Sequence, residues 1–219
     1  MRKGQEGIQS VPEPTLRRLP VYYQYVKNQR AEKTHISCTQ IAEALGQKPI
    51  QVRKDLEITG AIGKPRLGYP VTDLINNLEQ FLGYRRVDNA FLIGAGHLGL
   101  ALLGYEGFKE KGLNIVAAFD TDLQKVGKRF HGKEILHIDK FTTLVKRMKI
   151  PIGILTVPAH EAQKTADMMV KAGIKAIWSF VPVHIHVPEE IIVLHENLGS
   201  SLVVLSNKLT MKLAHKEEA

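Results

Sequence analysis

The run FLIGAGHLGLALLGY, residues 91–105, constrains this chain more than any other stretch. An apolar segment meets Gly94, Gly96 and Gly99 in the spacing G-x-G-x-x-G, and apolar residues resume at once. The pattern describes a strand that turns into a helix where the backbone must approach something closely. Gly94 permits the tight turn, Gly96 lets a pyrophosphate come near, and Gly99 lets helix and strand pack. Ala95, His97 and Leu98 complete the loop, and the helix N-terminus turns its positive dipole end toward the phosphates. Asp120 ends the next apolar run, NIVAAFD, at about the expected 20 residues beyond the fingerprint. Its carboxylate is placed to accept from ribose hydroxyls and to repel a 2′-phosphate. Thr121 and Asp122 follow without an arginine, which favours NAD(H) over NADP(H).

The rest of residues 86–219 alternates strand and helix. AFLIG leads into a helix expected to run through GYEGFKEKG. NIVAAFD, EILHI, IGILTVP, AIWSFVP and IIVLHE read as strands, and FTTLVKRMK and HEAQKTADMMVKAG as helices. Repeated β-α units with mostly apolar strands predict a parallel sheet covered on both faces, a Rossmann-like domain. Thr156, Val157 and Pro158 end a strand, where open α/β sheets bind ligands. SSLVVLSNKLTMKLA reads as a terminal amphipathic helix.

Residues 1–85 have a different grammar. They carry 13 Lys and Arg against 8 Asp and Glu, so this smaller part is the more basic per residue of a chain with formal net charge +8. A positive surface attracts polyanions such as nucleic acid. TLRRLPVYYQYVKNQ has helical spacing, with Pro20 as a possible kink or late start. SCTQIAEALG opens on a capping-box pattern, Ser37 with Gln40, and stops at Gly46. PIQVRKDLEITG follows after a short link, with Ile50, Val52, Leu56 and Ile58 as its apolar side. AIGKPRLGYPV offers two short extended pieces. Helix, turn, helix and small hairpin is a winged helix-turn-helix plan, in which the second helix enters the major groove. There Arg53 suits guanine, Gln51 suits adenine, and Lys54 suits phosphate. Lys64 and Arg66 sit at the tip of the wing. DLINNLEQFLGY is a further helix, and the domain boundary falls near Arg85–Asn89.

Other chemistry finds little support. No apolar run reaches the roughly 20 residues of a membrane span, and the start lacks a secretory signal's apolar core. One cysteine, Cys38, excludes an internal disulfide and fits a reducing cytoplasm. The nucleotide fold consumes nearly all the residues after the basic region, leaving no substrate domain. His97 lies in the fingerprint, and His184 and His186 alternate after a strand without a third ligand, so no metal site is expected. A small NAD-dependent oxidoreductase with a basic helical extension is the alternative reading.

QVRKDL, GAGHLGLALLGYEGF, AAFDTD, ILTVPAHEAQ and AGIKAIWSFVPV together resemble the Rex family, bacterial redox-sensing transcriptional repressors. The resemblance runs from about Pro12 to Lys212. It implies a cytoplasmic homodimer, not an enzyme, whose paired winged-helix domains (1–85) bind operator DNA. Its Rossmann domains (86–219) bind NAD(H), and NADH favours release. It also implies a C-terminal helix, here about 199–215, swapped between subunits. By the same resemblance, Tyr105 of the YxGF segment lies near the nicotinamide and Thr156–Pro158 line that side. Arg18 couples the two domains. Asn197 stands where members commonly carry an aspartate, and in the wing, TGAIGKPRLGY, Thr59 and Ile62 stand in place of the family's aromatics and Leu67 in place of a glycine.

Overall fold

The computed structural model describes residues 11–217. The chain forms two compact units, divided between Arg86 and Val87.

The first unit opens with α1 (Glu13–Asn28), whose Leu19, Tyr22, Tyr23 and Val26 recur at helical spacing and are buried. Pro20 neither delays nor breaks this helix. The carbonyl it leaves without a partner, that of Leu16, belongs to a residue 42% exposed, where water can serve it. The strand β1 (His35–Ile36) precedes α2 (Cys38–Leu45). The capping box forms as expected: the Gln40 N–H donates to Ser37 Oγ at 3.2 Å, and the Ser37 N–H donates to Gln40 Oε1 at 2.9 Å. Then α3 (Pro49–Ile58) buries Val52, Asp55 and Leu56. Ile50 and Ile58, expected on its buried side, are 60% and 41% exposed. They lie off the stripe that Val52, Asp55 and Leu56 define at i, i+3 and i+4. The wing is smaller than a hairpin. A single bridge joins Lys64 to Gly68, while β2 (Tyr69–Pro70) pairs antiparallel with β1 instead. Helix α4 (Val71–Phe81) completes this unit, burying Leu74, Ile75 and Leu78.

Asp55 is the polar centre of the first core. It is 1% exposed and accepts from four side chains. Arg18 donates twice, Nε to Oδ2 at 2.7 Å and an Nη to Oδ1 at 2.8 Å. Tyr22, Gln51 and Thr15 donate at 2.9, 3.0 and 3.0 Å. Burial alone pushes a carboxyl up, but these donors together outweigh it and hold Asp55 below the usual range. The same contacts raise the Arg18 guanidinium, while burial followed by Asp55 pushes the Tyr22 phenol up to about 12.

The second unit is a seven-stranded sheet in the order β5-β6-β4-β3-β7-β8-β9. Its elements are β3 (Asp88–Ile93), α5 (His97–Gly104), α6 (Gly107–Glu110), β4 (Leu113–Asp120), β5 (Arg129–Phe130), β6 (Lys133–His137), α7 (Phe141–Met148), β7 (Ile152–Leu155), α8 (Ala162–Ala172), β8 (Ala176–Ser179), β9 (Ile192–His195) and α9 (Leu198–Glu217). All pairs are parallel except the β5-β6 edge hairpin. With that edge set aside, the order is the 3-2-1-4-5-6 of a dinucleotide fold. Phe91 and Ile93 pack with Phe141 and Val145 of α7 and Ala166 and Met169 of α8. Ala90 and Leu92 alternate to the other face, with Leu103 of α5. The helix expected through GYEGFKEKG is two helices, because Tyr105 is extended (φ −76°, ψ 107°) and ends α5.

Replacing Asp55 by Ala is expected to destabilise the first unit by about 3–5 kcal/mol, since it strands Arg18 and Gln51 beside the vacated site. Because the folded-state carboxyl is depressed, its contribution is present above the unfolded value of about 4 and is lost as pH falls through the lower folded value. Urea unfolding followed at pH 7 and below pH 4 should show the Asp55→Asn penalty shrinking with acid.

Candidate functional site

The chain leaves β3 toward β4 and β6 on one side, and returns through β7 to β8 and β9 on the other. The crevice at this reversal is where doubly wound sheets bind ligands. A cleft of about 880 Å³ occupies it, lined by Gly94, Gly96, His97, Leu98, Asp120, Thr156, Val157 and Pro158 among others. Gly99 lies beside Gly94, outside the lining itself. At Gly94 (φ +101°) a Cβ would stand 2.6 Å from the Thr156 carbonyl oxygen. At Gly99 it would stand 2.0 Å from the Gly94 carbonyl oxygen and 2.9 Å from Thr156 Oγ1. At Gly96 it would meet nothing within 4 Å, so this backbone is open to the cleft. Thr156 closes the floor, its hydroxyl donating to the carbonyls of Ile93 and Gly94 at 3.0 and 2.8 Å. The first N–H groups of α5 have no acceptor within the helix, and they are the natural partners of an anion.

Asp120 stands at the carboxyl end of β4. Oδ2 accepts from the Ala95 N–H at 2.8 Å and from Lys125 Nζ at 3.1 Å, and Oδ1 accepts from the Asp122 N–H at 2.9 Å. Burial pushes this carboxyl up, but the Asp122 and Ala95 amides and Lys125 outweigh it and hold it below its ordinary range. Ala95 thus spends its N–H on Asp120, tying the glycine loop to the end of β4. Lys125 lines the cleft and was not legible as a site residue. The only signal was a lysine five places after the acid.

Other expected residues lie elsewhere. Tyr105 is outside the cleft lining and 53% exposed. Its ring meets Phe108 edge-on at 4.8 Å, and Phe108 meets Trp178 at 5.3 Å. Arg18, expected to couple the domains, is engaged by Asp55 within its own unit. Asn197 accepts from the Ser200 N–H at 3.2 Å and from Ser200 Oγ through its carbonyl at 2.8 Å, a helix-start role for α9. His184 and His186 are joined by a residue the spacing could not reveal, His195, stacked on His184 at 5.2 Å between ring centres. Burial, then His184, holds the His195 imidazole below its ordinary value. No group of three or more metal-ligating side chains suited to a metal ion occurs among the described residues.

In the first unit, α3 and the wing enclose a concave face of about 850 Å³ that includes Arg53, Lys64 and Arg66. Arg53 is exposed and its Nε donates to Glu57 at 3.0 Å. Lys54 is exposed on the same helix. Gln51 is half-buried, and its amide donates to Asp55 one turn along the same helix at 3.0 Å. Helix α9 leaves Leu202, Val203, Leu205, Leu209 and Leu213 each more than half exposed. An apolar face of this kind marks association.

Comparison with known proteins bears on both units. The family described as "CoA binding domain" matches residues 85–183, and "Putative DNA-binding protein N-terminus" matches residues 10–57. A Treponema denticola protein named redox-sensing transcriptional repressor Rex is 52% identical over 206 residues, 93% of this chain and 98% of its own length. The protein of that name from Bacteroides thetaiotaomicron is 47% identical over 201 residues, 91% of each chain. The chain belongs to the Rex family. Among solved structures, RSP in complex with β-NAD+ and operator DNA superposes with a TM-score of 0.87 at 35% identity, covering 95% of this chain and 97% of RSP. RSP with β-NADH gives 0.86 at 34% identity, covering 96% and 100%. As a Rex-family protein, the chain is a redox-sensing transcriptional repressor rather than an enzyme. No helix among the described residues is long and apolar enough to cross a membrane.

Two glycine variants separate structure from binding. Gly99→Ala forces α5 off β3 and is expected to cost about 1–3 kcal/mol or more, the range of overpacked cores. Gly96→Val, whose Cβ enters open space, should leave the melting temperature nearly unchanged while weakening NADH. Thermal melts with and without NADH check both.

Proposed function

We propose that this chain represses transcription by binding operator DNA as a homodimer and letting go when NADH fills the cleft. The observation that carries the reading is the co-occurrence in one chain of a ribose acid at the sheet's reversal point and a basic α3–wing face. Both align with a repressor solved with operator DNA and with either nucleotide form.

A ligand shifts an equilibrium only through unequal affinity for the two states. Oxidised nicotinamide is charged and reduced nicotinamide is neutral, so one pocket can tell them apart. Gly96, His97 and Leu98 receive the pyrophosphate at the start of α5, Asp120 receives the adenosine ribose, and Thr156, Val157 and Pro158 line the nicotinamide side. Coenzyme A, the ligand of the matching family description, carries a 3′-phosphate on that same ribose, which the Asp120 carboxylate would oppose. Arg53 reads a base edge in the major groove, while Lys54, Lys64 and Arg66 hold phosphates. Gln51 and Arg18 act indirectly, by fixing α3 through Asp55. The exposed apolar face of α9 supplies the dimer contact, and Tyr105 senses the ring within the assembled dimer. Asn197, neutral where an aspartate is common, makes for a softer coupling between nucleotide and DNA. A repressor of this kind works where the chromosome is, in the cytoplasm.

Two variants test the assignment by fluorescence anisotropy on a labelled operator. Arg53→Ala is expected to weaken binding by roughly 1–3 kcal/mol, as for one lost base contact. Asp120→Ala should bind DNA like the parent without nucleotide, yet need about tenfold more NADH for release, the worth of a charged hydrogen bond. Release at unchanged NADH concentration would exclude Asp120 from the nucleotide site.

A further inference from the structure

The ribose end of the cleft contains a cation that the dinucleotide reading does not use. Lys125 lines the cleft and lies 3.1 Å from Asp120 Oδ2 and 3.6 Å from Asp122 Oδ2. It does not reach this place by chance of a long side chain. Asp122 Oδ1 accepts from the Gln124 N–H at 2.9 Å, and its carbonyl accepts from the Lys125 and Val126 N–H groups at 3.0 and 3.2 Å. At the far end, the Gly127 N–H donates to the Ile135 carbonyl at 2.8 Å. A turn pinned at both ends therefore carries Lys125 to the acid that marks the ribose. The Lys125 side chain is 37% exposed, whereas the Asp120 side chain is 11% exposed.

We propose that Lys125 is a specificity-determining residue: a latent ligand for a 2′-phosphomonoester, held by Asp120 and Asp122. This rests on the cleft being a dinucleotide site. An acid at the end of β4 excludes NADP(H) by direct repulsion. Here it does so in a second way, by occupying the group that a 2′-phosphate would need. Asp120 and Asp122 outnumber the one ammonium they share, so an incoming phosphate meets repulsion from both and finds the Lys125 ammonium already engaged. Once the Asp120 charge is removed, only Asp122 still holds the lysine. That pair is longer and its acid is 42% exposed, so it competes weakly with a phosphate dianion. The same lysine also serves NADH binding indirectly, by holding Asp120 ionised and oriented.

The test is titration of NADH and NADPH, followed by nicotinamide fluorescence, into the parent chain, Asp120→Asn, and Asp120→Asn with Lys125→Gln. Circular dichroism verifies folding, and Asp120→Ser repeats the comparison if the amide variant fails to fold. The parent should bind NADH and discriminate against NADPH. Asp120→Asn should gain affinity for NADPH by about 10- to 100-fold, the worth of one charge-assisted contact, and adding Lys125→Gln should abolish that gain. An Asp120→Asn protein that gains nothing for NADPH, or whose gain survives Lys125→Gln, overturns the role of Lys125 while leaving the site intact. A folded parent chain that binds neither nucleotide overturns the site itself.

Discussion

Three backbones meet at one point in this protein, and the nucleotide site depends on how closely they do so. The end of β3, the first turn of α5 and the end of β7 converge where Gly94 faces Thr156 and Gly99 faces Gly94. The close approach excludes side chains from the corner and exposes the α5 N-terminus to the cleft. Thr156 ties two strand ends together from within. Asp120 then reaches the loop through the Ala95 amide, so the acid proposed to read the ribose also holds the glycine loop in shape. Binding and local stability share the same atoms, which is how a site becomes preorganised.

The first unit follows the same logic with a second aspartate. Asp55 gathers Thr15, Arg18, Tyr22 and Gln51 around one buried carboxylate, locking α1 to α3. The outward side of α3 is thereby fixed for Arg53 and Lys54. A buried charge satisfied by several donors specifies one helix orientation, and an apolar contact would allow it to slide.

Much of this was legible in the sequence because it rests on local backbone demands. The glycine spacing, the acid at the end of β4, the capping box of α2 and the apolar runs of the buried strands are all local. What escaped depended on tertiary neighbours. Arg18 carries the right chemistry for coupling, but the buried Asp55, nearly forty residues further along the chain, engages it within the first unit. Strict alternation fails in β4 because the register shifts beside Ala90–Phe91, so that Ala90 opposes Ile115 and Phe91 opposes Ala117. Tyr105 looked like a continuation of α5, yet its extended backbone ends the helix. His195 joined His184 through sheet and loop geometry that no spacing encodes. The ion pair of Lys125 with Asp120 needed the turn between them to be seen.

The central claim is that the nucleotide is a signal: its oxidation state changes how this protein holds DNA. The most direct measurement is operator anisotropy with the unmodified chain, titrated in parallel with NADH and with NAD+ at fixed salt. NADH should release the duplex at concentrations where NAD+ leaves it bound. Equal release by both forms, or by neither, would contradict the account.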